Sequence, residues 1–139
     1  MRVRLTNRGK TVRRSLTGLL GVLLLTFVML GASSGGGAPA AVVHMTSQNK
    51  FVPATVTIKA GQSVQWVNDD AATHTVTTDP SQVANEDDVQ TPSGAKPFNS
   101  NSVGKGKSFE QRFEVPGTYQ YACAPHEGNK MVGKVIVTR

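Results

Sequence analysis

From residue 41 onward, apolar and polar residues alternate in short runs, and turn residues cut the runs off roughly every eight to twelve positions. Residues 41–46 are apolar and β-branched enough to open a sheet. Thr55-Val56-Thr57-Ile58-Lys59 alternates and stops at Ala60-Gly61, and Ser63-Val64-Gln65-Trp66-Val67 alternates and stops at Asn68-Asp69-Asp70. Residues 73–78 are rich in Thr and Val and end at Asp79-Pro80. Residues 107–115 alternate through Phe109, Gln111 and Phe113 to Pro116-Gly117, residues 118–123 alternate again, and residues 132–138 close the chain. A period of two is the strand period, and nothing after residue 40 sustains the 3.6-residue apolar period of a helix. The pattern predicts an all-β sandwich with Trp66 and Val64 facing inward. Tyr119, following Pro116-Gly117-Thr118, is placed to lock a Greek-key corner. Residues 80–106 form a polar insertion rich in Ser, Asn, Pro and Gly, longer than ordinary connections; a short helix or strand, or mobility, is expected there.

The first forty residues read differently. Arg2, Arg4, Arg8, Lys10, Arg13 and Arg14 precede an apolar run over residues 16–30, and small residues follow, ending in Ala38-Pro39-Ala40. Fifteen apolar residues fall short of the roughly 20 that span a bilayer. Residues 1–40 are therefore expected to be a signal peptide with an A-x-A cleavage site. The alternative is an uncleaved membrane tether through residues 16–31 with a Gly/Ser linker. Either way the domain over residues 41–139 is expected outside the cytoplasm, in the periplasm or the extracellular cell envelope. The formal charge of +6 resides in this leader, because nine Lys and Arg balance nine Asp and Glu after residue 40. That domain lacks a basic stripe with interleaved aromatics, and a nucleic-acid partner is not expected.

The 99 residues that remain hold one cysteine, too few for an internal disulfide. A free thiol in an oxidising compartment is exposed to damage unless it is buried or coordinated. Its neighbours favour coordination: Cys123-Ala124-Pro125-His126-Glu127-Gly128-Asn129-Lys130-Met131 offers a thiol, an imidazole and a thioether within one short loop. A thiolate, imidazoles and a weak thioether suit copper. His74 is the candidate for a second imidazole. Copper(II) prefers nitrogen and tetragonal geometry, and copper(I) prefers sulfur and fewer ligands; a rigid compromise suits one-electron transfer. Cys123 is expected to end one strand and Met131 to begin the next, with Pro125 stiffening the loop and Gly128 allowing it to turn.

The stretch from Cys123 through Val135, with spacing C-x-x-H-x-x-x-x-M, resembles the C-terminal copper loop of the plastocyanin branch of the cupredoxins. Trp66-Val67-Asn68-Asp69-Asp70-Ala71-Ala72-Thr73-His74-Thr75-Val76 is similar to the family segment that carries its first histidine. The resemblance covers residues 42–138 apart from an insertion around residues 81–101. It implies a cupredoxin-like Greek-key β-sandwich of about seven to eight strands. It also implies a type 1 copper site with His74, Cys123 and His126 as equatorial ligands and Met131 as the long axial one. Three positions depart from the plastocyanin pattern: Thr75 stands where Asn is common, Ala124 where Ser is common, and Ala122 where a docking tyrosine sits. The first two imply weaker bonding between the ligand loops, and the third argues against assuming a photosynthetic partner.

Other residues receive expectations too. His44 fits neither motif and is expected in the core or at the surface. Glu86-Asp87-Asp88 is expected to be a solvated loop face. Met45, Ala71, Ala72, Pro125 and Gly128 are expected to form an apolar rim around His126. The functional expectation is a monomeric blue-copper electron carrier whose redox partner proteins dock near His126; the alternative is an envelope copper carrier or buffer. An enzyme is not expected, since three histidines cannot build a second catalytic copper cluster and a binuclear centre needs a second cysteine.

Overall fold

The computed structural model describes residues 37–139, so the expected signal or tether over residues 1–40 falls, apart from its last four positions, outside the described residues. Seven strands follow: β1 (Ala41–Thr46), β2 (Lys50–Val52), β3 (Thr55–Lys59), β4 (Gln62–Asn68), β5 (Ser108–Phe113), β6 (Gly117–Ala122) and β7 (Val132–Thr138). They make two facing sheets, one in the order β2-β1-β4-β5 and the other in the order β3-β7-β6. β1 runs parallel to β4 and β3 parallel to β7, while the remaining pairs are antiparallel. This is the all-β, cupredoxin-like sandwich that the alternation and the resemblance anticipated.

Alternation decides what faces inward. β1 buries Val43 and Met45, and β4 buries Val64 and Trp66, against Val56, Ile58, Tyr119, Tyr121, Val135 and Val137 of the other sheet. The fully buried Trp66 ring meets Tyr121 edge-on at 5.2 Å and lies 5.8 Å from Phe109 and 6.3 Å from Phe113. Such aromatic pairs add about 0.5–1.5 kcal/mol each beyond the area they bury. Tyr119 donates its hydroxyl to the Val115 carbonyl at 2.9 Å, forming the corner that its sequence position suggested. Tyr121 also explains Gly133 on the neighbouring strand: a Cβ there would lie 2.5 Å from the tyrosine oxygen.

Two elements differ from expectation. Residues 73–78 do not form a regular strand, although their backbone is paired. His74 exchanges bonds with Val103, Val76 pairs with Ser100, Thr77 exchanges bonds with Ala122, and Thr78 donates to Phe98. The partners alternate between the insertion on one side and β6 on the other, which leaves isolated bridges. Strand β2 was not anticipated; it forms because Asn49, at φ 53°, turns the chain back and Thr46 registers opposite Lys50. The long insertion carries two short 3₁₀ turns, Pro80–Gln82 and Glu86–Asp88, capped by the side chains of Asp79 and Asn85.

Candidate metal centre

Asn68, the last residue of β4, is fully buried and organises the loop that follows. Its side-chain amide donates to the carbonyls of Ala72 and Val103, both at 2.8 Å, and its oxygen accepts the Asp70 N–H at 2.8 Å. Asp70 is thereby turned toward His74, whose Nε2 lies 3.1 Å from its Oδ2. With Nε2–H donating to the carboxylate, the Nδ1 lone pair of the fully buried His74 is free and faces the Cys123 sulfur at 3.6 Å. Burial pushes the Asp70 carboxyl up, but bonds from His74 and from the amides of Ala71 and Ala72 outweigh it and hold the group below its ordinary value.

β6 delivers Cys123 at its end, and the loop from Ala124 to Asn129 folds as a short 3₁₀ segment kinked at His126 (φ −122°, ψ 23°). Pro125 lies in its first turn. The residue that turns the loop back is Lys130, at φ 52°; Gly128 keeps an ordinary φ, and a Cβ there would meet nothing within 4 Å. His126 Nδ1 lies 3.3 Å from the Cys123 sulfur, and its ring centroid is 4.7 Å from that of His74. The donor atoms of His74, Cys123 and His126 all lie within 4.8 Å of one another. Met131 is fully buried beside them: its carbonyl accepts the Cys123 N–H at 3.0 Å, and its N–H reaches the His126 carbonyl at 3.4 Å.

Thr75 ties the two loops together. Its N–H donates to the Cys123 sulfur at 3.3 Å, and its hydroxyl accepts the Ala124 N–H at 2.9 Å. The threonine therefore supplies a cross-loop bond of its own. Burial raises the pKa of the Cys123 thiol, with the Glu127 charge adding to the rise, against lowering by the bonds from Thr75. Burial lowers that of His126, helped by the neighbouring His74. The result is a protonated thiol beside an imidazole that resists protonation. A cation would resolve this arrangement by displacing the thiol proton, and a sulfur 3.3 and 3.6 Å from the two imidazole nitrogens suits one ion held at about 2.0–2.3 Å from each donor.

The remaining expectations divide. His44 is half-exposed and pairs with Asp69 at 2.6 Å, away from the cluster. Glu86 and Asp87 are exposed as expected, but Asp88 is largely covered and lies 3.4 Å from Lys130. Met45 is fully buried and cannot belong to an exposed rim, because the alternation of β1 turns it inward with Val43. Ala71, Ala72, Pro125 and Gly128 are exposed and His126 partly so. Sequence reasoning passed over Asn68, Asp70 and Glu127; the capping residues after β4 were the available signal for the first two.

The profile of a family described as copper binding proteins, plastocyanin/azurin family, matches residues 40–138. The chain is 40% identical over 112 residues to the chloroplastic plastocyanin of Tetradesmus obliquus, a match covering 79% of this chain and 65% of that protein. It is 36% identical over 112 residues to the plastocyanin of Scenedesmus fuscus, covering 79% of this chain and 96% of that one. The match thus spans just under two thirds of the first relative and nearly all of the second. Among solved structures, amicyanin from Paracoccus versutus aligns with a TM-score of 0.56 at 32% identity, over 73% of this chain and 84% of that chain.

Proposed function

The chain belongs to the plastocyanin/azurin family of copper-binding proteins, and from that membership and the site's geometry we propose that it is a monomeric blue-copper electron carrier, exported from the cytoplasm, that shuttles single electrons between redox partner proteins. The observation that carries the reading is the convergence of one thiol and two imidazoles within 4.8 Å at one end of a sandwich, with His74 and Cys123 buried and His126 partly exposed. His74 Nδ1, the Cys123 sulfur and His126 Nδ1 would hold the ion, with the Met131 thioether as a fourth, weaker donor. Copper bound there supplies a one-electron couple between Cu(II) and Cu(I).

The residues of the chain have separable tasks. Asp70 fixes the His74 tautomer and ring orientation, and the Thr75 N–H takes part of the charge on the Cys123 sulfur. Thr75 and Ala124 keep the two ligand loops in register. Core packing beneath the site, with Trp66 and Tyr121 in contact, resists the ligand movement that would slow electron transfer. His126 offers the route out, and the exposed Ala71, Ala72, Pro125 and Gly128 of the two loops are read as its apolar docking face.

The test is spectroscopic. The copper-loaded protein should be intensely blue from thiolate-to-Cu(II) charge transfer, and Cys123→Ser should abolish the band. Met131→Leu should keep the colour and raise the reduction potential, because a weak thioether donor would tune it. A colourless Cu(II) adduct with ordinary hyperfine splitting would sink the reading in favour of a copper carrier or buffer.

A further inference from the structure

We propose that Glu127 is a positioning residue, a clasp that ties the insertion onto the loop carrying His126 and so fixes where that imidazole stands. Both carboxylate oxygens of Glu127 face one backbone N–H, that of Ala84, at 2.8 and 3.1 Å, across 43 residues of sequence. Charge-assisted bonds of this kind are about twice as strong as neutral ones. The segment being clasped is itself seated. Gln90 and Gln120 exchange two backbone bonds of 2.9 Å, and the Gln120 side chain donates to the Asp87 carbonyl at 3.0 Å, on the strand that leads to Cys123. The Asn85 side chain caps the 3₁₀ turn between these contacts, and Asp88 of that turn faces Lys130 at 3.4 Å.

The ligand loop needs such outside support. His126 interrupts its 3₁₀ geometry, so hydrogen bonds within the loop do not run continuously from Cys123 to Met131. From the opposite side Lys50 donates to the Asn129 carbonyl at 2.8 Å. Glu127 is next to His126 in sequence, so the clasp acts one peptide unit from the imidazole. A loop fixed from outside keeps one shape whatever charge the site carries, which is the condition for fast electron exchange.

The inference rests on the copper reading for its consequence, but the clasp itself can be measured without metal. The exposed Ala84 amide has Glu127 as its partner, and its hydrogen exchange reports the bond directly. In Glu127→Ala of the full chain, exchange at Ala84 should quicken about tenfold or more, the worth of a bond to a charged group, with and without copper. Amides of Lys130 and Met131 should quicken too, and electron self-exchange, read from NMR line broadening, should slow about tenfold while the blue band persists. Glu127→Gln keeps an acceptor for the Ala84 N–H and should restore most of both properties; it also serves if the alanine variant fails to fold. Unchanged exchange at Ala84 would overturn the clasp. Faster exchange at Ala84 with unaltered Met131 exchange and self-exchange would reduce it to a surface contact and equally overturn the proposal. Absence of a blue band in the unmodified protein would instead sink the copper reading, leaving the metal-free exchange result to decide the clasp alone.

Discussion

His74 and His126 face the same sulfur from loops held in opposite ways. The upstream loop is tied at its own root: Asn68 gathers Asp70 and Ala72 of the loop, with Val103 of the insertion, around itself, and Asp70 then orients the buried His74 ring. The downstream loop is tied from outside, by Glu127 to Ala84, Lys50 to Asn129 and Lys130 to Asp88, and its imidazole is partly exposed. A loop anchored at the buried Asn68 and His74 fixes the depth and direction of the upstream imidazole. An outer loop braced from its neighbours can leave one imidazole edge exposed without letting it wander. Rigidity and access are thus assigned to different segments of the chain.

The largest test of this contrast removes each imidazole in turn. His74→Gly and His126→Gly should both lose the blue band when copper is added. Free imidazole should restore it in His126→Gly, where the gap opens toward solvent, and not in His74→Gly, where the gap is enclosed. Equal rescue of both variants would show that the two loops do not differ in access.

The next test strikes the tie within the upstream loop. Asn68→Ala empties a fully buried polar position and removes its bonds to Ala72, Val103 and Asp70, and should cost about 2–4 kcal/mol by chemical denaturation of the copper-free protein. Lys50→Met, which removes an exposed brace of the downstream loop, should cost less than about 1 kcal/mol. Similar losses for the two would erase the distinction between inner and outer support.

A third, smaller effect belongs to pH. Burial raises the Cys123 pKa, so its thiol is protonated in the metal-free fold near neutrality, and copper must displace that proton. Burial lowers the His126 pKa, so that imidazole is already neutral there. Protons released on binding make affinity rise with pH, and the thiol contributes about tenfold per unit, or 1.36 kcal/mol, between neutrality and its raised pKa. Chelator competition for copper(I) at several pH values measures the slope; a flat profile would mean that the thiol is ionised before copper arrives.

Much of this architecture is legible in the sequence, for reasons that differ from residue to residue. Strands read well because alternation is local, and the trio Cys123, His126 and Met131 reads well because one short loop carries it. His74 is reached less directly, through the second imidazole that loop lacks and the family segment over residues 66–76. What escaped depends on distant partners: Thr75 acts through Cys123 and Ala124, Asn68 through Val103, and Glu127 through Ala84. Residues 73–78 have strand composition yet alternate between two neighbours, and composition carries no record of that. Met45 is the exception, since its place on the inner face of β1 beside Val43 follows from the same alternation that identified the strand.

The smallest test concerns how the outer loop turns. Within the described residues, positive φ at a non-glycine position occurs at Asn49, Asn101 and Lys130, so the downstream loop closes on a left-handed lysine while residues 68–78 use none. Left-handed backbone costs an ordinary L residue about 1–2 kcal/mol, and Gly escapes that cost but loses about 0.5–1 kcal/mol through its freer unfolded chain. Lys130→Gly also gives up the pair between its exposed ammonium and Asp88, worth at most about 1 kcal/mol. The opposing terms nearly cancel, and the variant should melt within about 0.5 kcal/mol of the parent. Lys130→Val keeps the wrong handedness, adds β-branching and loses the same ion pair, so it should fall at least about 1 kcal/mol below the glycine variant. If valine and glycine proved equal, the left-handed turn would carry no strain, and the outer loop would owe its shape to the braces from Glu127 and Lys50 alone.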